Sequence, residues 1–140
     1  MKGDMVFDTS VLIEILFATD VGNELIDNIL NNNIKPYTTT LNITEALYVT
    51  CRLLGMREAR KRIELLLNSG YFKTVSSDNV NFEAAECKCK FPISIVDCHT
   101  LALARKYEIP VLFYRLEEEF KLVINEIKAW INNEIYFLVP

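Results

Sequence analysis

Short apolar runs alternate with longer stretches of helical period along this chain, and the alternation predicts its architecture. Met5, Val6 and Phe7 form an uninterrupted apolar triplet that ends abruptly on Asp8-Thr9-Ser10. A run of that kind suits a strand buried on both faces of a parallel sheet. Val11 to Phe17 then reads as a short helix with Thr9 or Ser10 near its cap. Gly22 to Asn31 carries Leu25, Ile26, Ile29 and Leu30 on one stripe, as an amphipathic helix does. The second strand lies within Ile34 to Thr39, with Pro36 expected at an edge or first position because it has no N–H to give.

From Asn42 the period is helical again, and Leu41, Ile43, Ala46, Leu47, Val49, Leu53 and Leu54 predict a broad buried face. Asn42 fits as the cap of that helix, with Glu45 as its partner three residues on. Arg57 to Asn68 predicts a further helix with Ala59, Ile63, Leu66 and Leu67 inward. Tyr71 to Val75 reads as a strand, and Ser76-Ser77-Asp78 opens a helix running towards Cys89. A helix with Leu101, Ala102, Leu103 and Ala104 follows Ser94-Ile95-Val96-Asp97, and Val111 to Tyr114 is the fourth strand. Glu117 to about Asn132 predicts one long amphipathic helix, and Ile135 to Val139 a last strand. Strands separated by helices in this way predict an α/β fold, a three-layer α/β/α sandwich on a mainly parallel sheet of four or five strands. At 140 residues, without a linker or a repeat, the chain is expected to form one domain over 1–140.

Composition narrows the function classes. The chain is 51% hydrophobic and 24% charged, which predicts a folded protein rather than a disordered one. Neither an apolar run of about 18 residues nor a signal-peptide pattern is present, so no membrane span is expected and the cytoplasm is the expected compartment. The formal charge of -4 is not that of a simple backbone-driven nucleic-acid binder. Arg52, Arg57, Arg60, Lys61 and Arg62 make a local basic stretch, for which a solvated helix face is the default reading. The four cysteines include no C-x-x-C pair, and adjacent Cys98 and His99 cannot both face one metal from a helix.

The acidic residues are more telling. Asp8 follows strand one, Glu45 lies early in the helix after strand two, Asp97 opens the helix before strand four, and Glu117 opens the helix after it. In a parallel sheet these junctions fall on one rim, where ligands of open α/β folds bind. Acidic residues in a first helical turn are ordinary, being favoured by the positive end of the helix. Four on one rim, however, repel one another unless a cation intervenes, and hard oxygen ligands suit Mg2+ or Mn2+. Two such ions roughly 4 Å apart can activate a water and stabilise the leaving oxygen of a phosphodiester. A haloacid-dehalogenase-type phosphatase needs a second Asp where Ser10 stands, and a receiver domain needs a Lys after the fourth strand, where there is none.

Asp8-Thr9-Ser10, the Asn42-Ile43-Thr44-Glu45 segment, and Ser94-Ile95-Val96-Asp97 followed by Ala102-Leu103-Ala104 together resemble the marked segments of the PIN-domain family. The likeness is strongest to the ribonuclease toxins of prokaryotic VapBC toxin-antitoxin pairs, and it covers nearly the whole chain. The resemblance implies that Asp8, Glu45 and Asp97 hold Mg2+ or Mn2+ for RNA hydrolysis, with Thr9 and Ser10 supporting the first Asp. It also implies a small antitoxin partner and a homodimer. The fourth position departs from the family pattern: Arg115-Leu116-Glu117-Glu118-Glu119-Phe120 stands where a Thr-x-Asp-x-x-Phe-like segment is usual. Aligning on Phe120 makes Glu117 the fourth acidic residue, with Glu119 as the alternative. That departure leaves a degenerate PIN-like module, binding RNA or protein without cutting, as the second reading.

Overall fold

The computed structural model, which describes residues 1–140, has five parallel strands in the order β3-β2-β1-β4-β5. β1 spans Gly3–Phe7, β2 Ile34–Thr39, β3 Lys73–Val75, β4 Val111–Phe113 and β5 Ile135–Phe137. The helices between them are α1 (Thr9–Leu16), α2 (Asp20–Leu30), α3 (Thr40–Leu54), α4 (Met56–Asn68), α5 (Asn81–Lys90), α6 (Ile95–Tyr107), α7 (Glu118–Lys121) and α8 (Ile124–Ile131). A single 3-10 turn at Ser77–Val80 leads into α5. The three-layer α/β/α sandwich expected from the alternation is therefore present, with an all-parallel sheet.

Strand periodicity divides the interior into two layers. Met5 and Phe7 of β1, with Leu112 of β4, face α1, α2 and α4, where Val11, Leu12, Leu25, Ile29 and Ile63 complete one cluster. Val6, Val111 and Phe113 face the opposite way, onto Ala84, Cys87, Leu101, Ile127 and Trp130 of α5, α6 and α8. Burying each large apolar side chain contributes roughly 1.5–3 kcal/mol. The central strand uses both of its faces, which is why its sequence is a continuous apolar run. Connections from β1 to β3 lie over one face and those from β3 to β5 over the other, so the winding reverses between β1 and β4. That crevice, at the carboxyl ends of the two strands, is where such sheets bind ligands.

Several local expectations need correction. α3 is capped by Thr39, whose hydroxyl accepts from the Asn42 N–H at 3.1 Å; Asn42 sits inside the helix and Glu45 in its second turn. The buried stripe of α3 is Asn42, Ala46 and Thr50, while Leu53 and Leu54 are exposed. Leu67 is also exposed. α1 is capped by Asp8 itself rather than by Thr9 or Ser10. The long helix after β4 is two short ones, α7 and α8, parted at Leu122-Val123. β3 and β5 are shorter than the apolar runs that predicted them. Pro36 lies inside β2, an interior strand, opposite Met5. It is tolerated because β3 begins only opposite Tyr37, so β2 is still open on one side at that position.

The turn from α1 to α2 rests on one close approach. A Cβ at Gly22 would lie 2.1 Å from the backbone oxygen of Glu14. No side-chain rotation can relieve a clash with backbone. Gly22→Ala is expected to destabilise the fold by about 3 kcal/mol, read as a lower urea midpoint at an unchanged slope; an unshifted midpoint contradicts the packing described here.

Candidate metal-dependent active site

Asp8 is the first residue past β1 and takes an extended conformation (φ -69°, ψ 161°) that lets its side chain turn back over α1. Its Oδ2 accepts from the Ser10 N–H at 3.0 Å and from the Ser10 hydroxyl at 2.7 Å. Oδ1 accepts from the Thr100 hydroxyl of α6 at 3.1 Å. Ser10 Oγ is itself fixed, accepting the Tyr114 N–H from beyond β4 at 3.0 Å. The Asp8 N–H donates to Leu112 O at 3.0 Å. One buried carboxylate thus ties together the ends of β1 and β4 and the starts of α1 and α6.

Behind it lies a second tier that the sequence reading missed. The Asn42 Nδ2 amide donates to Thr9 Oγ1 at 3.0 Å and to Thr100 Oγ1 at 2.9 Å. Its Oδ1 accepts from the Thr39 hydroxyl at 2.6 Å. All four side chains are buried, and no buried side-chain nitrogen or oxygen in the protein lacks a partner. Asn42 therefore uses both of its amide donors and its carbonyl oxygen on the floor of the site. The available signal was the spacing Thr39, Asn42, Ala46, Thr50: small and polar residues three or four apart, on the face that the leucines do not occupy.

Asp97 comes from the first turn of α6, its N–H held by Ser94 Oγ at 3.0 Å. Burial, and next the charge of Asp8, push its carboxyl up to about 7; the Ser94 hydrogen bond opposes this, and the charges of Glu45 and Glu119 add to it. Burial also raises the Asp8 carboxyl above its usual range, against the opposing hydrogen bonds from Ser10, Thr100 and the Thr9 backbone. Asp8, Glu45, Asp97, Glu117 and Glu119 all line one cleft of about 360 Å³, with Thr9, Ser10 and Arg115. The structure thus brings every acidic residue singled out from the sequence to one place. Glu117 and Glu119 both reach it, but only Glu119 is among the charges that raise Asp97.

The donor chemistry suits a hard divalent cation, since the cleft offers carboxylate oxygens and neither thiol nor imidazole. In their present rotamers no three of these side chains close into a preformed coordination group. Asp8 is fixed by its hydrogen bonds, whereas Glu117 and Glu119 are exposed and free to swing. The basic stretch from Arg52 to Arg62 is largely exposed, in keeping with its default reading as a solvated helix face. Arg60 and Arg62 are engaged by Glu64 and Glu58 on α4, and Arg105 stacks on Trp130, leaving Arg115 as the one cation that lines the cleft.

The sequence matches the profile of the PIN domain over residues 5–123. The chain belongs to the PIN-domain family. Its fold is also that of solved proteins of VapBC toxin-antitoxin systems. It resembles VapC20 of Mycobacterium tuberculosis, a sarcin-ricin loop cleaving toxin, with a TM-score of 0.64 at 18% identity over 85% of this chain and 94% of that one. VapBC-5 of the same organism, a member of the VapBC toxin-antitoxin systems, gives 0.60 at 20% identity over 96% and 98%. VapBC2 of Rickettsia felis, solved bound to a DNA fragment from its promoter, gives 0.66 at 12% identity over 85% and 92%. No curated protein matches the chain.

In this PIN domain the carboxylate cleft is costly to ionise without a cation. Asp97 ionises near 3.8 in the unfolded chain and near 7 in the fold, so between those values the folded state holds the extra proton and stability falls as pH rises. In the presence of a chelator, Asp97→Asn is expected to match the parent near pH 4. It should exceed the parent by roughly 2 kcal/mol at pH 8, the partial exposure of Asp97 being discounted. Urea titrations at the two pH values check this, and a gain independent of pH contradicts it.

Proposed function

We propose that this PIN domain is a divalent-metal-dependent endoribonuclease and the toxin of a toxin-antitoxin pair. The observation that carries the reading is the cleft itself, where Asp8 and Asp97 are set from two helix starts beside Glu45 and Glu119, and burial first, then the neighbouring charges, raise the Asp97 carboxyl to about 7. Uncompensated carboxylates cost folding energy, and a bound cation offsets that cost. Mg2+ or Mn2+ would be held by Asp8, Glu45 and Asp97, with Glu117 or Glu119 completing the set. When bound, the ion supplies Lewis acidity for water attack on an RNA phosphodiester.

The chain's own contribution is positioning. Ser10 and Thr100 hold the Asp8 carboxylate in one orientation, so little side-chain entropy is lost when it meets a ligand. Asn42 fixes Thr100 and Thr9 in turn. Asp97 must lose its proton before it can ligate, so cation affinity is expected to rise with pH through about 7. That the similar VapC20 cleaves the sarcin-ricin loop supports single-stranded or looped RNA as the substrate class.

The partner half of the reading rests on another surface. α1, α2 and α4, with Tyr71 and Phe72, enclose a groove of about 340 Å³ whose lining is almost wholly apolar. Leu30, Leu65 and Tyr71 stand exposed along it. A groove of this kind takes the apolar face of an amphipathic segment, and an antitoxin is the occupant that fits a toxin of this fold. One domain over residues 1–140, a homodimer and a cytoplasmic setting complete the proposal; no helix is long and apolar enough to cross a membrane.

Cleavage of a fluorogenic RNA, with a sarcin-ricin-type loop as a second substrate, tests the chemistry. Activity should require Mg2+ or Mn2+ and vanish in chelator. Asp8→Asn and Asp97→Asn should each lower kcat by about 10²-fold or more, and Glu45→Gln by about tenfold or more, as expected when a group stabilising the transition state is lost. Full activity in either Asp variant sinks the mechanism. RNA bound but left intact under both metals favours the binding-module reading instead.

A further inference from the structure

Arg115 has an unusual setting for a guanidinium. It lines a cleft that also contains Asp8, Glu45, Asp97, Glu117 and Glu119, yet it forms an ion pair with none of them. Its guanidinium instead lies over the Tyr114 ring, 5.1 Å from the centroid. The segment that carries it is fixed at its root, because the Tyr114 N–H donates to Ser10 Oγ and that hydroxyl donates to Asp8 Oδ2. Two hydrogen bonds therefore separate the backbone beside Arg115 from the carboxylate at the centre of the site. Stacking leaves the N–H fork of an arginine free to donate in its own plane, the geometry that meets a phosphate with two parallel bonds.

An anionic cleft repels a polyanion along every part of the chain that a metal ion does not reach. Resting on the ribonuclease reading, we propose that Arg115 is the substrate-binding residue of the site. Its guanidinium donates to a non-bridging oxygen of a phosphate flanking the scissile bond in single-stranded RNA. The bases carry no part in this contact, so it adds affinity without sequence preference. The alternative role, neutralising the carboxylates, predicts a different pattern: removing a cation from among them should strengthen Mn2+ binding and leave both KM and the salt slope for RNA unchanged at saturating Mn2+.

The test measures cleavage of a fluorogenic single-stranded RNA between about 50 and 300 mM KCl at saturating Mn2+, for the parent, Arg115→Gln and Arg115→Lys. Each phosphate contact to a single strand contributes about 0.7 to the slope of log affinity against log salt. Arg115→Gln is expected to raise KM about tenfold at low salt, with kcat within about threefold, and to flatten the slope of log(kcat/KM) by about 0.7. Its apparent affinity for Mn2+ should be unchanged or stronger. Arg115→Lys should keep the slope and recover only part of KM, since an ammonium lacks the planar fork. Parallel salt lines for the parent and Arg115→Gln overturn the assignment, as does a KM for RNA that is unchanged at saturating Mn2+. A parent protein that cleaves no RNA removes the ribonuclease reading itself, a result distinct from an active parent with an indifferent Arg115.

Discussion

Asp8 is only 5% exposed, so its carboxylate has to find its hydrogen bonds inside the protein, and the network they begin ties together three separate segments. Ser10 belongs to the helix that Asp8 caps, Thr100 to a helix on the opposite face of the sheet, and Tyr114, acting through Ser10, to the loop beyond β4. Each bond is worth only about 1–3 kcal/mol net. Their greater consequence is geometric, since each must be made for the others to be affordable. The Asn42 amide donates to the Thr100 hydroxyl oxygen, which leaves that hydroxyl's one proton for Asp8, with the Val96 carbonyl as the competing acceptor. The interior network thus fixes α1, α3 and α6 relative to one another before any ligand is considered.

That constraint explains why the site sits where it does. β1 is the central strand, and the chain winds outward from it in one direction to β3 and in the other through β4 to β5. Helices on opposite faces diverge at the crevice between β1 and β4, which leaves the carboxyl ends of both strands uncovered. Asp8 and Tyr114-Arg115 are the first residues past those two ends, α6 brings Asp97 up from the face built around Leu101 and Leu103, and α3 brings Glu45 down from the other. The cleft is therefore a property of the winding, and the carboxylates are what this sequence has placed around it.

The strands were legible because a strand buried on both faces must be apolar throughout, as Met5-Val6-Phe7 and Val111-Leu112-Phe113 are. Asp8 and Asp97 were legible because charge directly beside such runs is expensive. Asn42 was misread for a physical reason. The Asn-x-x-Glu spacing satisfies a capping box, but Thr39, three residues earlier, satisfies a cap equally well, and only tertiary burial decides between them. A serine cap lies at Ser94, whose Oγ accepts the Asp97 N–H, and the residue so held is one that lines the site. Polar residues facing inward on α3 were hidden among its more numerous leucines and isoleucine, and the buried stripe is Asn42, Ala46 and Thr50.

The break between α7 and α8 left no mark in the sequence at all. There is no Pro or Gly at Leu122-Val123, and the apolar stripe runs through it without a change of phase, since Phe120, Ile127, Trp130 and Ile131 all enter the same core cluster. Periodicity reports which residues face the core and says nothing of whether the axis bends between them. The bend matters nonetheless. It lets Phe120 pack against Phe113, with ring centroids 5.1 Å apart, while the residues before it are released to the rim. Glu117 and Glu119 thus stand at the mouth of the cleft on a helix of barely one turn, rather than on the rigid first turn of a long one. Those two carboxylates are exposed, whereas that of Asp8 is buried and held by Ser10 and Thr100. The site accordingly combines a buried, prepositioned Asp8 and a half-buried Asp97 with an exposed acidic rim, and a longer Glu in place of the family's usual Asp suits the exposed half.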